Sequence, residues 1–111
     1  MTAPGPLTNA LGQPVGPPLP GWRPPPRPAH AALVGRYSRL EPLDAERHAA
    51  DLYAAYSEDA AGRMWTYLFS GPFASPGECR AWVEARQDSE DPLFFAVVDA
   101  AGGRAAGVAS F

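Results

Sequence analysis

The sequence predicts a small mixed α/β (α+β) body carried behind an extended, proline-rich arm. Three observations point there. Ten of the 14 prolines fall within the first 30 of 111 residues, while the remainder reads as ordinary globular sequence. Two helix starts, at Asp44 and at Ser75-Pro76-Gly77-Glu78, carry capping chemistry. A continuous apolar run, Leu93 to Val98, reads as a strand covered on both faces, and a Gly-Gly turn follows it. The arm is expected over residues 1–34 and the body over 35–111.

In the arm, each proline holds φ near the polyproline value and removes a backbone donor, so helix and central strand are excluded. Pro25 and Pro28 form a bare P-x-x-P, the minimal ligand of proline-binding domains. No Arg flanks it where such a ligand is oriented. The plainer reading is an arm lying along its own body, with Leu19 and Trp22 as anchors. Arg36 to Leu43 predicts a short, edge-like strand closed by Pro42.

Asp44 then caps a helix whose first turn holds Glu46, and Ala45, Ala49, Leu52 and Tyr56 recur on one face. This helix should fray between Ser57 and Gly62. The segment from Arg63 to Phe73 is rich in aromatics (Trp65, Tyr67, Phe69, Phe73) without clear periodicity, and ends in Gly71-Pro72. The second helix has Ser75 as N-cap, Pro76 at the first helical position and Glu78 at the third. Cys79, Trp82, Val83 and Arg86 share one of its faces, and it stops before Asp91-Pro92. Leu93–Val98 and Arg104–Phe111 complete a hairpin about Asp99–Gly103. The last strand has an outer edge that neither charge nor a turn protects, so the chain reads as ending inside a sheet.

Composition excludes several classes. Nine Arg and no Lys stand against 12 acidic residues, a net charge of −3. All the acids lie after position 40, so the body is more acidic still. A nucleic-acid partner would need a basic stripe, and none exists. One cysteine cannot make an internal disulfide and gives no argument for an oxidising compartment. No apolar run is long enough to span a bilayer, and the start lacks the pattern of a secretory signal. The expectation is a cytoplasmic protein with no membrane partner. Arg without Lys, and Val and Leu without Ile, beside abundant Ala, Gly and Pro, suggests GC-rich coding rather than function.

Few residues offer chemistry on their own. Arg104-Ala105-Ala106-Gly107-Val108-Ala109 fits R-x-x-G-x-A, a loop that cradles the pyrophosphate of coenzyme A at a helix N-terminus. Only two residues follow the match, so it reads as a small-residue strand. Cys79 would act as a nucleophile only with a histidine nearby, and His30 and His48 lie in the arm and the first helix. Cys79 shares the apolar face with Trp82, so a packed thiol is the better reading. These spacings make no zinc site. Asp88, Glu90 and Asp91 read as a solvated acidic turn. The aromatics around Trp65 and Tyr67 either line an apolar pocket or belong to the core.

The order strand, helix, helix, strand, strand resembles the first half of the GCN5-related N-acetyltransferase (GNAT) fold. Gly35-Arg36-Tyr37-Ser38-Arg39-Leu40-Glu41-Pro42-Leu43-Asp44 is similar to the opening strand and helix cap of the branch resembling ribosomal-protein N-acetyltransferases. Trp65-Thr66-Tyr67-Leu68-Phe69-Ser70-Gly71-Pro72-Phe73 looks like the segment joining its first two helices. Leu93-Phe94-Phe95-Ala96-Val97-Val98-Asp99 and Gly107-Val108-Ala109-Ser110-Phe111 resemble its second and third strands. Asn9 to Pro20 is similar to its proline-rich lead-in.

The resemblance implies acetyl transfer from acetyl-CoA to a primary amine, a protein N-terminus or a small amine. It also implies that the strands and helix holding the thioester and pyrophosphate lie outside this sequence. It therefore assigns no catalytic, cofactor-binding or metal-binding residue here. Trp65, Tyr67 and Leu68 are the candidates for acceptor contact, by position. Two expectations follow: a partial acetyltransferase inactive alone, or a non-catalytic interaction module. The second would pair through its open strand edge, with a partner or a second copy, or through its proline-rich arm.

Overall fold

The computed structural model describes residues 5–111, so Pro4 of the arm lies outside the described residues. The arm begins with a two-stranded ribbon, β1 (Leu7–Thr8) paired antiparallel with β2 (Pro14–Val15). Asn9 makes the turn: its Oδ1 accepts from the N–H groups of Leu11 and Gln13, and its Nδ2 donates to Gln13 Oε1. A two-stranded ribbon has only edges, which is why Pro14 is admitted to it.

Leu19 and Trp22 do not anchor the arm, because they are 69% and 62% exposed. Contact with the body comes later in the chain. His30 sets its ring edge-on to Phe95, with centroids 6.2 Å apart.

The body holds a four-stranded antiparallel sheet in the order β3 (Leu33–Val34), β4 (Ser38–Pro42), β5 (Phe94–Asp99) and β6 (Ala105–Ser110). Two expectations are corrected here. Residues 33–34, counted with the arm, join the sheet. As a result β4 is an interior strand rather than an edge. The reversal is a tight turn in which Gly35 N–H donates to Ser38 O, and a Cβ on Gly35 would come within 2.8 Å of that oxygen.

Helix α1 (Ala45–Ser57) starts where the sequence predicts. Asp44 accepts from Arg47 N–H, while Asp44 N–H donates to His48 Nδ1. A third donor of the first turn, Ala45 N–H, is met by Gln87 Oε1 from beyond the second helix, at 2.8 Å. This bond ties the two helices together at a point where α1 would otherwise expose unpaired amides. Helix α2 (Pro76–Glu84) has Ser75 Oγ accepting from Glu78 N–H, and the Glu78 carboxylate reaches back to Ala74 N–H. Glu78 thus bonds the amide one residue earlier than the usual capping box.

Both helices pack on one face of the sheet. Ala45, Ala49 and Leu52 from α1, Cys79 and Val83 from α2, and Ala96 and Val98 from β5 form one buried cluster. Phe95 and Ala96 are adjacent in β5 and both fully buried, so this strand is covered on both faces, as its unbroken apolar run predicts. Behind the sheet Phe95 packs against His30 and Phe111. The β5–β6 turn uses Gly103 at φ +70°, with Gly103 N–H donating to Asp99 O.

Candidate functional site

Between α1 and α2 the chain turns at Gly62 (φ +68°) and enters a single 3-10 turn, Arg63–Trp65. The Asp59 carboxylate fixes that turn by accepting from Met64 N–H at 2.9 Å. Trp65 is thereby driven inward to meet Tyr56 at 5.0 Å, Phe73 at 5.3 Å and Trp82 at 6.4 Å between ring centroids, each edge-to-face. Gly71 permits this. Its φ is +66°, and a Cβ there would lie 2.3 Å from the Trp65 indole.

The outer side of this aromatic cluster, together with Phe94 and residues 107–110 of β6, encloses a groove of about 290 Å³. Its other walls are Tyr56, Met64, Trp65, Leu68 and Trp82. No ionisable acid or base other than the Tyr56 phenol lines it. Burial, followed by the nearby Cys79 thiol, pushes that phenol up to about 12, so it remains neutral. Arg86 holds its guanidinium 4.5 Å from the centre of the Trp82 ring and donates to Trp82 O and Ser70 Oγ. The Trp82 indole N–H is buried and has no hydrogen-bond partner among the described residues.

The three residues singled out by position are therefore divided. Trp65 is 7% exposed and serves as both core and groove wall, so the two readings of the aromatic segment meet in one side chain. Leu68 lines the groove at half exposure. Tyr67, 94% exposed, is absent from its wall. Tyr56, Met64, Trp82, Phe94 and Val108 also line the groove and are not among the residues singled out by position. The pattern that could have found Tyr56 and Trp82 is the same helical periodicity that marked them as core.

The other candidates fall out plainly. Residues 104–109 form the end of a turn and a strand in which Gly107 pairs with Val97, not a loop at a helix N-terminus. No phosphate cradle of that kind is built from them. Cys79 is fully buried, its Sγ 3.8 Å from Ala49 O, and burial pushes its thiol pKa upward. Among the described residues no three His, Cys, Asp or Glu side chains gather as a metal site, and no helix is long and apolar enough to cross a membrane.

One polar cluster escaped the sequence reading. The Glu41 carboxylate accepts from Arg39 Nε at 2.6 Å, from His48 Nε2 at 2.8 Å and from Arg47 at 3.1 Å. Since His48 Nδ1 accepts from the Asp44 amide, the Nε2–H tautomer faces Glu41. Bonds from Arg39 and His48 lower the Glu41 carboxyl from 4.5 to about 2. The cluster welds β4 to the start of α1 and lies apart from the groove walls.

At the sheet margin, Leu93 and Phe111 exchange both backbone hydrogen bonds. The two-residue period of an antiparallel ladder then turns the amide and carbonyl groups of Val108 and Ser110 away from β5, along the outer edge of β6.

With this geometry in view, comparison with solved structures finds two informative neighbours. A GCN5-related N-acetyltransferase from Brucella melitensis is 43% identical, with a TM-score of 0.75 over 83% of this chain and 42% of its own. A probable acetyltransferase of the GNAT family from Chromobacterium violaceum is 30% identical, with a TM-score of 0.68 over 88% of this chain and 48% of its own. The chain thus spans less than half the length of either neighbour, and over that span its fold is that of the GNAT acetyltransferases. No family model matches the chain, and no curated protein matches it.

Proposed function

We propose that this chain is the acceptor-side portion of a GCN5-related N-acetyltransferase, of the branch resembling ribosomal-protein N-acetyltransferases. The observation that carries this is the groove walled by Tyr56, Trp65, Leu68, Trp82 and β6, on a fold shared at 43% identity with an N-acetyltransferase. In this reading the groove receives a primary amine, from a protein N-terminus or a small molecule, and acetyl-CoA is the co-substrate. The groups that hold the thioester and its pyrophosphate come from outside the described residues, and the 111-residue chain is inactive alone. The site of action is the cytoplasm.

What these residues contribute is position and exclusion of water. Aromatic walls desolvate the acceptor, which favours the neutral amine over its ammonium form, and the neutral amine is the form with a free lone pair. The edge-to-face cluster around Trp65 holds the wall rigid, so an amine resting on it has a fixed approach direction.

The experiment replaces the matched segment of the Brucella melitensis protein with the matched segment of this chain, which is 83% of its length. Acetyl-CoA-dependent acetylation of an amine by the fusion is expected. A folded fusion that retains acetyl-CoA binding but acetylates no amine would refute the reading.

A second reading is favoured by one observation, the outward-facing backbone groups of Val108 and Ser110. A strand from another chain, or from a second copy, would pair there without any catalysis. Sedimentation of the 111-residue chain separates the two: concentration-dependent association supports edge pairing, and a monomer at all concentrations counts against it.

A further inference from the structure

We infer that the amine taken by this groove carries an uncharged apolar body, aromatic or branched aliphatic, and is not a polycation. The inference rests on the acceptor-side reading and deepens it by naming the substrate class.

The first argument is charge. The chain holds 12 Asp and Glu residues, and none of them lines the groove. They are spent elsewhere. Asp59 faces the cavity on the other side of Trp65 and is occupied with Met64 N–H. Asp51, Glu58 and Asp99 line a separate cleft between α1 and the β5–β6 turn, together with Arg104. A polyamine in the groove would bring an additional ammonium against walls that, among these residues, offer it no carboxylate. Arg86 is stacked on Trp82, a residue of the wall, and its charge opposes a second positive group.

The second argument is surface and size. The walls offer aromatic faces and edges from Tyr56, Trp65, Trp82 and Phe94, with Met64 and Leu68 at the rim. Such surfaces reward apolar area removed from water. A volume of about 290 Å³ is at the small end for ligand cavities, suited to a single ring or branched chain rather than an extended oligoamine.

Leu68 is the specificity-setting position in this account. It is 55% exposed and lines the groove, so a charge introduced there alters the wall without entering the buried cluster.

The test titrates the 111-residue chain, in a Trp22→Phe background, with phenethylamine and separately with spermidine. Trp65 and Trp82 are then the remaining indoles and both line the groove, so their fluorescence reports occupancy. Saturable change with phenethylamine is expected, at an affinity about tenfold or more tighter than for spermidine. Leu68→Arg should weaken phenethylamine by a similar factor, and Leu68→Glu should raise spermidine affinity. Circular dichroism identifies any variant that fails to fold, and the phenethylamine-to-spermidine ratio of the parent chain decides without them.

Spermidine binding as tightly as phenethylamine overturns the inference and leaves the acetyltransferase reading standing. So does the absence of a saturable change with phenethylamine. Failure of the reading itself is scored separately, by the fusion protein acetylating neither amine.

Discussion

Replacing Glu41 by Gln probes the polar weld between β4 and α1 and has a pH signature that packing alone cannot mimic. Glutamine keeps the shape but removes the charge that Arg39, Arg47 and His48 share at 2.6–3.1 Å. A charge-assisted hydrogen bond is worth about 1.5–3 kcal/mol. The guanidinium partners are 33% and 64% exposed and recover much of that from water, whereas His48 is 3% exposed and does not. Since Gln still accepts from His48 Nε2–H, the expected net loss is about 1–2 kcal/mol at neutral pH.

The sign of the pH dependence follows from the lowered pKa. Glu41 titrates near 2 in the folded chain against 4.5 ordinarily, so the unfolded state binds the proton first as pH falls. Its contribution is complete above 4.5 and is lost between 4.5 and about 2. Urea denaturation of the parent and E41Q at pH 7, 4.5 and 3 reads this directly. The gap between them should be largest at pH 7 and shrink at pH 3. A gap that is the same at all three values, or no gap at pH 7, would refute the account of Glu41 as an ionised hub.

Three further outcomes are expected. Gly71→Ala should cost more than about 2 kcal/mol, since it combines a positive φ with a Cβ inside the Trp65 indole, and tryptophan emission should shift red as the groove wall opens. Asp44→Ala and Ser75→Ala should each cost about 1 kcal/mol by removing a side-chain cap, measured as a lowered urea midpoint, and the double variant reveals any coupling through the Gln87 bond. Cys79 should resist a disulfide-exchange reagent in the native chain and react fully in urea, because its buried thiol has an upward-shifted pKa.

The fold was legible where local chemistry and tertiary need agree. Asp44 and Ser75 cap the helices they announce, and the run from Leu93 to Val98 occupies a strand buried on both faces. Legibility failed where pairing is non-local. Nothing in Leu33–Val34 alone says that two residues will cover the edge of β4, and Leu19 and Trp22 are apolar enough to suggest anchors that the prolines around them never deliver to the body. The site divides along the same line. Trp65 and Leu68 could be placed by their position before Gly71-Pro72, but Val108 and Phe94 reach the groove only through the hairpin that carries them. Glu41 and His48 are seven residues apart, yet a strand, a proline and a cap had to be resolved before their side chains could be seen to meet.

The division of labour proposed for these residues, acceptor side within and thioester side without, is tested most directly by calorimetric titration of the 111-residue chain with acetyl-CoA. The account predicts no saturable heat, because the sole match to a pyrophosphate cradle, residues 104–109, ends a turn and forms a strand. Saturable binding in the micromolar range would contradict it and place the thioester site among the residues described.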